Sequence, residues 1–138
     1  MRIKRITDIN EILKCLPFER EIRKKGRDNS RESDLLLFIE SQLDNHAFGF
    51  WIAYDDDNEV IGYAVAMLNF VPGVERLHLL RIYAKTKELR QEFENIGKEW
   101  CKPYKIKTMQ MTGSNKKNIK AFQRMGWKVV SVNLERRI

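Results

Sequence analysis

Cys15 and Cys101 are the strongest nucleophiles this chain could offer, and neither has the company that chemistry requires. A thiol becomes reactive when a base or a positive charge lowers its pKa. The two histidines, His46 and His78, stand in no motif with either cysteine. Both thiols fall among apolar or aromatic residues in helical segments, which suits small buried hydrophobes. Two isolated cysteines also make no disulfide framework and no metal spacing. The acidic run "DDDNE", 55–59, could in principle hold a cation. No glutamate or glycine follows it at calcium-loop spacing, so a tight turn is expected instead, because Asp and Asn tolerate bent backbone. The other proton-transfer groups lie along one stretch, "VERLHLLRIYAK", 74–85, which carries Glu75, His78 and Tyr83.

The chain has 138 residues, enough for one compact domain, 1–138, with a real core. It is 43% hydrophobic and 33% charged, a globular composition. No apolar run reaches the roughly 18 residues a membrane helix needs. The start, "MRIKRITDINE", lacks the apolar region of a secretory signal. A soluble, cytoplasmic protein is expected. The net charge of +7 points to an acidic partner: nucleic acid, a phosphorylated cofactor or an acidic protein. The positive residues are spread over three clusters, around 20–31, 98–107 and 116–128. Such runs are usually solvated faces, and no nucleic-acid motif accompanies them.

The elements that must position these groups follow from periodicity. Arg2 to Ile6 alternate as a strand. Asp8 and Glu11 have the spacing of a capping box, followed by Ile9, Ile12, Leu13 and Leu16 at helical intervals. Pro17 is expected to interrupt that helix, leaving 18–31 as a helix end and a loop. Ser33 or Asp34 can cap a second helix with Leu35, Leu36, Ile39 and Leu43 inward. "FGFWIAY", 48–54, and "VIGYAVAMLNF", 60–70, read as a hairpin around the acidic turn. Pro72 and Gly73 turn the chain into a third strand, 74–85. From about Lys87, Leu89, Phe93, Ile96 and Trp100 share one helical face, and Pro103 ends that helix. "KIKTMQMT", 105–112, is a strand. Ser114 or Asn115 caps a last helix with Ile119, Phe122 and Met125 inward, and Gly126 stops it. "WKVVSVNLE", 127–135, is the last strand. The order β-α-α-β-β-β-α-β-α-β defines an α/β domain with a mixed sheet.

That order, with the ending "TGSNKKNIKAFQRMGWKVV", resembles the GNAT superfamily of acyl-CoA-dependent N-acyltransferases. In that family a strand ends in Asn, a short helix follows, and a Gly-aromatic pair leads into the next strand; Asn115, Gly126 and Trp127 match those places. "NEVIGYAVAM" resembles the family's central hairpin, and "LLRIYA" its splayed fourth strand. The resemblance implies a mixed, splayed sheet flanked by about four helices. It implies an acetyl-CoA cofactor, no metal, and an amine substrate held near Glu75 and His78 as candidate bases. Ile82, Tyr83 and Ala84 would face the pantetheine arm. Lys85, Lys87, Leu89 and Arg90 would lie by the pyrophosphate, with Asn115 and Phe122 completing the cofactor site.

The sequence also departs from the family. The glycine-rich pyrophosphate loop is missing: set against it, Leu89 takes the Arg/Gln position and Arg90, Glu92 and Glu94 stand where glycines are usual. Phe122 stands where many members place a tyrosine that protonates the leaving thiolate, and Phe has no proton to give. Tyr83 is the candidate substitute acid. The expectation is an N-acyltransferase with a degenerate site, weak or inactive. The alternative is a non-catalytic GNAT-fold structural or binding protein, such as a phage virion component contacting other virion proteins.

Overall fold

Alternation along residues 48–84 builds the centre of the molecule. The computed structural model describes residues 1–25, 32–111, 116–129 and 136–137. Among the described residues, five strands form one sheet in the order β1-β2-β3-β4-β5: β1 (Arg2–Arg5), β2 (Phe48–Tyr54), β3 (Val60–Asn69), β4 (Arg76–Ala84) and β5 (Met109–Met111). Neighbours are antiparallel as far as β4, and β4 pairs β5 in parallel. A parallel pair needs a crossover, which helix α4 (Lys87–Cys101) supplies. The fold is therefore an α/β domain with a mixed sheet. The β2–β3 turn closes as expected: Asp55 Oδ1 accepts from the amides of Asp57 and Glu59, both at 2.9 Å, and Asn58 takes the left-handed conformation.

The two faces of the sheet are covered differently. On one face, Trp51, Ala64, Leu77 and Leu79 pack beneath Leu89 and Phe93 of α4. Gly62 makes that contact possible, since a Cβ there would stand 2.5 Å from the Tyr83 carbonyl and 2.8 Å from Leu89. On the other face, Phe50, Ile52, Tyr63 and Val65 lie beneath α1 (Ile9–Ile12), a 3-10 turn (Leu13–Cys15), α2 (Leu16–Lys25) and α3 (Glu32–Gln42).

Several expectations are corrected. Asp8 caps α1 through the Asn10 amide at 2.9 Å. Glu11 does not reach back to complete the box; it accepts from Tyr54 Oη at 3.0 Å and Lys4 Nζ at 3.3 Å, because α1 lies against the sheet. Pro17 does not break the helical run. The chain passes through the 3-10 turn, and Pro17 falls in the first turn of α2, where its missing N–H costs nothing. The charged stretch from Phe18 to Lys25 is helical because Phe18 and Glu19 find partners on the sheet. Pro103 sits within a 3-10 turn (Lys102–Tyr104) that follows α4. β5 begins at Met109 rather than Lys105, and its described residues pair with three positions of β4.

The end of α5 (Lys116–Arg124) matches expectation closely. Gly126 takes φ 95°, and its amide donates to the Gln123 carbonyl at 3.1 Å. The Trp127 amide donates to the Phe122 carbonyl at 3.1 Å, and the two rings meet at 5.8 Å. This is the Schellman stop with its hydrophobic contact. Trp127–Val129 form no strand, and the rest of the expected last strand, like the caps Ser114 and Asn115, lies outside the described residues.

Candidate functional site

β4 carries one residue more than β3 can pair. Arg81 is opposite Val65 and Leu79 is opposite Ala66, which leaves Leu80 as the extra residue of a bulge. Strand side chains alternate, so one inserted residue exchanges the faces beyond it. Leu77 and Leu79 face α4, and after the bulge Ile82 and Ala84 face it too. Tyr83 turns to the opposite side, where it stacks on Phe18 at 4.7 Å and Tyr63 at 6.3 Å. The described part of β5 runs to Met111, opposite Leu79. From Leu80 to Ala84, no described residue pairs with the β5-side edge of β4.

Leu80 and Arg81 also line a cavity of about 250 Å³ between the sheet and α1–α3. Its walls include Ile12, Leu16, Leu36, Ile39, Val65 and Met67. Exposed Phe38 and Leu80 stand among its lining side chains. One polar cluster faces in. Glu19, only 3% exposed, accepts from Tyr63 Oη and from Arg81 Nε, the latter at 3.1 Å. Burial, then the hydrogen bond to Glu19 and its negative charge, hold the Tyr63 hydroxyl far above the usual tyrosine range. Burial, with Glu19's charge adding, pushes the Cys15 thiol up to about 12. Cys15 is thus a protonated packing group near neutral pH.

The entry to α4 is set by Thr86. Its Oγ1 accepts from the Leu89 amide at 3.1 Å, and its carbonyl accepts from the Arg90 amide at 3.2 Å. The Lys87 and Glu88 amides, on the first turn, have no preceding helical carbonyl to bond. Exposed Lys85 and Lys87 flank them. The stretch 89–94, set above against a phosphate loop, lies inside this helix. Leu89 is 1% exposed and fills the core. The Arg90 guanidinium lies 5.0 Å over the Phe122 ring. Glu94 is buried and accepts from Trp127 Nε1 at 3.2 Å. Glu92 is exposed further along the helix. Neither Glu92 nor Glu94 stands at the helix entry, where a phosphate would approach. The cause is the Thr86 cap, which starts the helix two residues after β4 ends.

The other candidates do not converge on one point. Glu75 is exposed in the β3–β4 turn and accepts from the Gly73 amide at 3.1 Å. Eight strand residues, about 25 Å at ~3.3 Å each, separate it from Tyr83. His78 is half-buried opposite Met67 of the cavity wall, so it stands on the cavity face of the sheet. Phe122 is half-buried between Arg90 and Trp127. Glu19, Tyr63 and Arg81 escaped notice in the sequence. Glu19 is hidden in a charged stretch, and Tyr63 in an apolar strand. Arg81 was the visible signal, a charge inside "LLRIY" that a strand interior holds only with a partner.

The fold is that of the GNAT N-acyltransferases. A possible acetyltransferase from Clostridium difficile 630 superposes with a TM-score of 0.76 at 13% identity, covering 99% of this chain and 96% of that one. A predicted acetyltransferase with acetyl-CoA from Clostridium acetobutylicum gives 0.76 at 15% identity, covering 99% and 95%. AAC(6')-Iy in complex with the bisubstrate analogue CoA-S-monomethyl-acetylneamine gives 0.71 at 18%, covering 99% and 97%. No protein-family model and no curated protein matches the sequence.

Proposed function

We propose that this chain transfers an acyl group from an acyl-CoA to an amine. The observation that carries this reading is a coincidence of position: the described pairing of β4 with β5 runs only as far as Leu79, next to the bulge whose residues line the cavity. No described residue pairs with the backbone of Ile82, Tyr83 and Ala84 on that edge, and the amides of a pantetheine arm suit it. The amino-terminal end of α4, with Lys85 and Lys87, suits a pyrophosphate, since first-turn amides and the helix dipole favour an anion. The thioester supplies the activated carbonyl: an N–C bond forms, the C–S bond breaks, the nitrogen loses a proton and the sulfur gains one. His78, on the cavity face, is positioned to accept the first proton. Tyr83, the other candidate, lies five strand residues further on, about 16 Å at ~3.3 Å each, too far to act on the same carbonyl, so the sulfur takes its proton from solvent. Holding the amine beside the carbonyl lowers the barrier by several kcal/mol without a covalent step on the protein.

A second reading, a non-catalytic module of the same fold, is favoured by Phe122 and by the absence of glycines at the α4 entry. A role as a virion component has no support in the structure or in the compared proteins. Titration calorimetry with acetyl-CoA separates the two readings. Binding in the micromolar range, weakened at least tenfold by Lys85→Glu with Lys87→Glu, is expected for the enzyme. No heat at millimolar acetyl-CoA would sink the enzyme reading and leave the second.

A further inference from the structure

The β3–β4 turn is apolar where a turn is usually polar. It reads "FVPGV", 70–74, and Phe70, Val71 and Val74 are all exposed, Val71 to 58%. Exposed Tyr104 joins them from the 3-10 turn after α4, its ring 5.3 Å from that of Phe70. Single surface hydrophobics need no explanation, but a patch drawn from two segments indicates a contact surface. The turn is also fit to leave water. The Val71 amide donates to Asn69 Oδ1 at 3.0 Å, the Gly73 amide to Glu75 Oε2 at 3.1 Å and the Val74 amide to the Val71 carbonyl at 3.0 Å. Pro72 has no N–H, so every backbone donor of 71–74 is already paired. Such a segment loses little when water is withdrawn from it.

Positive charge borders the patch. Lys102, Lys105 and Lys107, all exposed, flank Tyr104, Lys98 lies in the last turn of α4, and the Arg76 Nε donates to the Val74 carbonyl at 2.9 Å. The carboxylates beside them are Glu75, on the Gly73 amide, and Glu99, paired with Lys102 at 2.6 Å. The Leu68 amide donates to the Ala47 carbonyl, which brings exposed Asp44 and His46 to the same end of the sheet. Among the described residues, cations outnumber carboxylates here. A Cβ at Gly73 would meet nothing within 4 Å, so the tip projects. A projecting apolar tip fits a protein only where a matching pocket exists, whereas a bilayer interface yields around it. Pairing with a second copy about a two-fold axis would set the same lysines against each other.

We propose that this end of the sheet docks on an anionic lipid surface. Phe70, Val71 and Val74 enter the interfacial layer, Tyr104 lies at headgroup level, and Lys102, Lys105 and Lys107 meet the headgroup charges. The contact is peripheral, since no described helix is long and apolar enough to cross a membrane. It does not rest on the acyl-transfer reading: the nine residues of β4, about 30 Å at ~3.3 Å each, separate this turn from the α4 entry.

The test is co-sedimentation of the full chain with vesicles of phosphatidylcholine alone and with phosphatidylserine added, at low and high salt. Binding to the phosphatidylserine vesicles is expected at least tenfold above binding to phosphatidylcholine alone, and high salt should reduce it at least fivefold. Phe70→Ser with Val71→Ser should also reduce it at least fivefold, as should Lys105→Glu with Lys107→Glu. All four side chains are exposed, so both variants should fold. Arg2→Glu with Lys14→Glu makes the same change of net charge beside Tyr54, at the opposite end of the sheet, and should cost no more than twofold. No binding to phosphatidylserine vesicles, equal binding to phosphatidylcholine, or binding untouched by the Phe70–Val71 variant would overturn the proposal. Equal losses from the two charge-reversed variants would overturn it as well, leaving only the net charge. So would a vesicle-free dimer in sedimentation velocity that the Phe70–Val71 variant abolishes, which would give the patch to a second copy.

Discussion

The two faces of the sheet are built to different ends. Beneath α4, Leu77 is 0% exposed and Leu89 1%, and Gly62 clears the space that lets the helix seat. Trp51 and Trp100 meet edge to face at 5.1 Å, with the Arg5 guanidinium over both rings. Beneath α1–α3, about 250 Å³ stays unfilled, and the wall holds buried Glu19 between Tyr63 and half-buried Arg81. Close packing maximises dispersion and the burial of apolar surface, whereas unfilled space and buried charge forgo both. The α4 face therefore holds the fold, and the face beneath α1–α3 keeps unfilled space at some cost in stability.

The sharpest way to break this contrast is to truncate one leucine on each side. Leu89→Ala should cost about 3 kcal/mol in chemical denaturation, because the packed site cannot collapse around the missing atoms. Leu36→Ala, at a half-buried cavity wall, should cost about 1 kcal/mol, since it deletes contacts that were incomplete. Equal losses would mean that both faces carry the fold alike.

Next comes the polar cluster. Tyr63→Phe removes a donor from a buried carboxylate and should cost about 2 kcal/mol. The same cluster predicts an alkaline weakness that differs between the faces. Burial and the Glu19 charge raise the Cys15 thiol to about 12, while burial alone raises Cys101 beneath α4. A raised pKa means that the folded state holds its proton more tightly than the unfolded one. The resulting stability is complete below the unfolded thiol value of about 8.5, and it is lost as pH rises toward the folded value. Denaturation curves from pH 8 to 11 should thus show falling stability. Cys15→Ala should flatten that fall more than Cys101→Ala, and equal flattening would mean that the two faces hold their thiols alike.

The smallest effect belongs to the rim. Arg20 and Glu32 form a two-point ion pair at 3.0 and 3.1 Å on the exposed side of α2 and α3. Screening and side-chain entropy leave such pairs little net value. Arg20→Ala should move the melting temperature by no more than the error of the measurement, at low salt and at high. A clear loss would show that the cover over the cavity depends on surface charge.

Local chemistry was legible wherever it completes itself within a few residues. "DDDNE" closes a turn through Asp55, and "FQRMGW" ends a helix because Gly126 alone reaches the needed φ without strain. Leu89, Phe93, Ile96 and Trp100 announced α4. The entry of that helix was harder. Its Thr86 cap competes with a family loop for the same residues, and a register argument without the backbone placed the carboxylates Glu92 and Glu94 where the structure has Lys85, Thr86 and Lys87.

By itself the sequence determined the order of elements from β2 to α5, the hairpin, the helix stop and the resemblance to the GNAT fold, since each rests on neighbours in the chain or on period. Only the tertiary structure decided the site. Glu19 and Tyr63 are 44 residues apart, and Glu19 and Arg81 62. The bulge that turns Tyr83 toward the cavity exists only as a mismatch between β3 and β4. A buried ion pair and a strand's phase depend on which surfaces meet, and neither depends on local propensity.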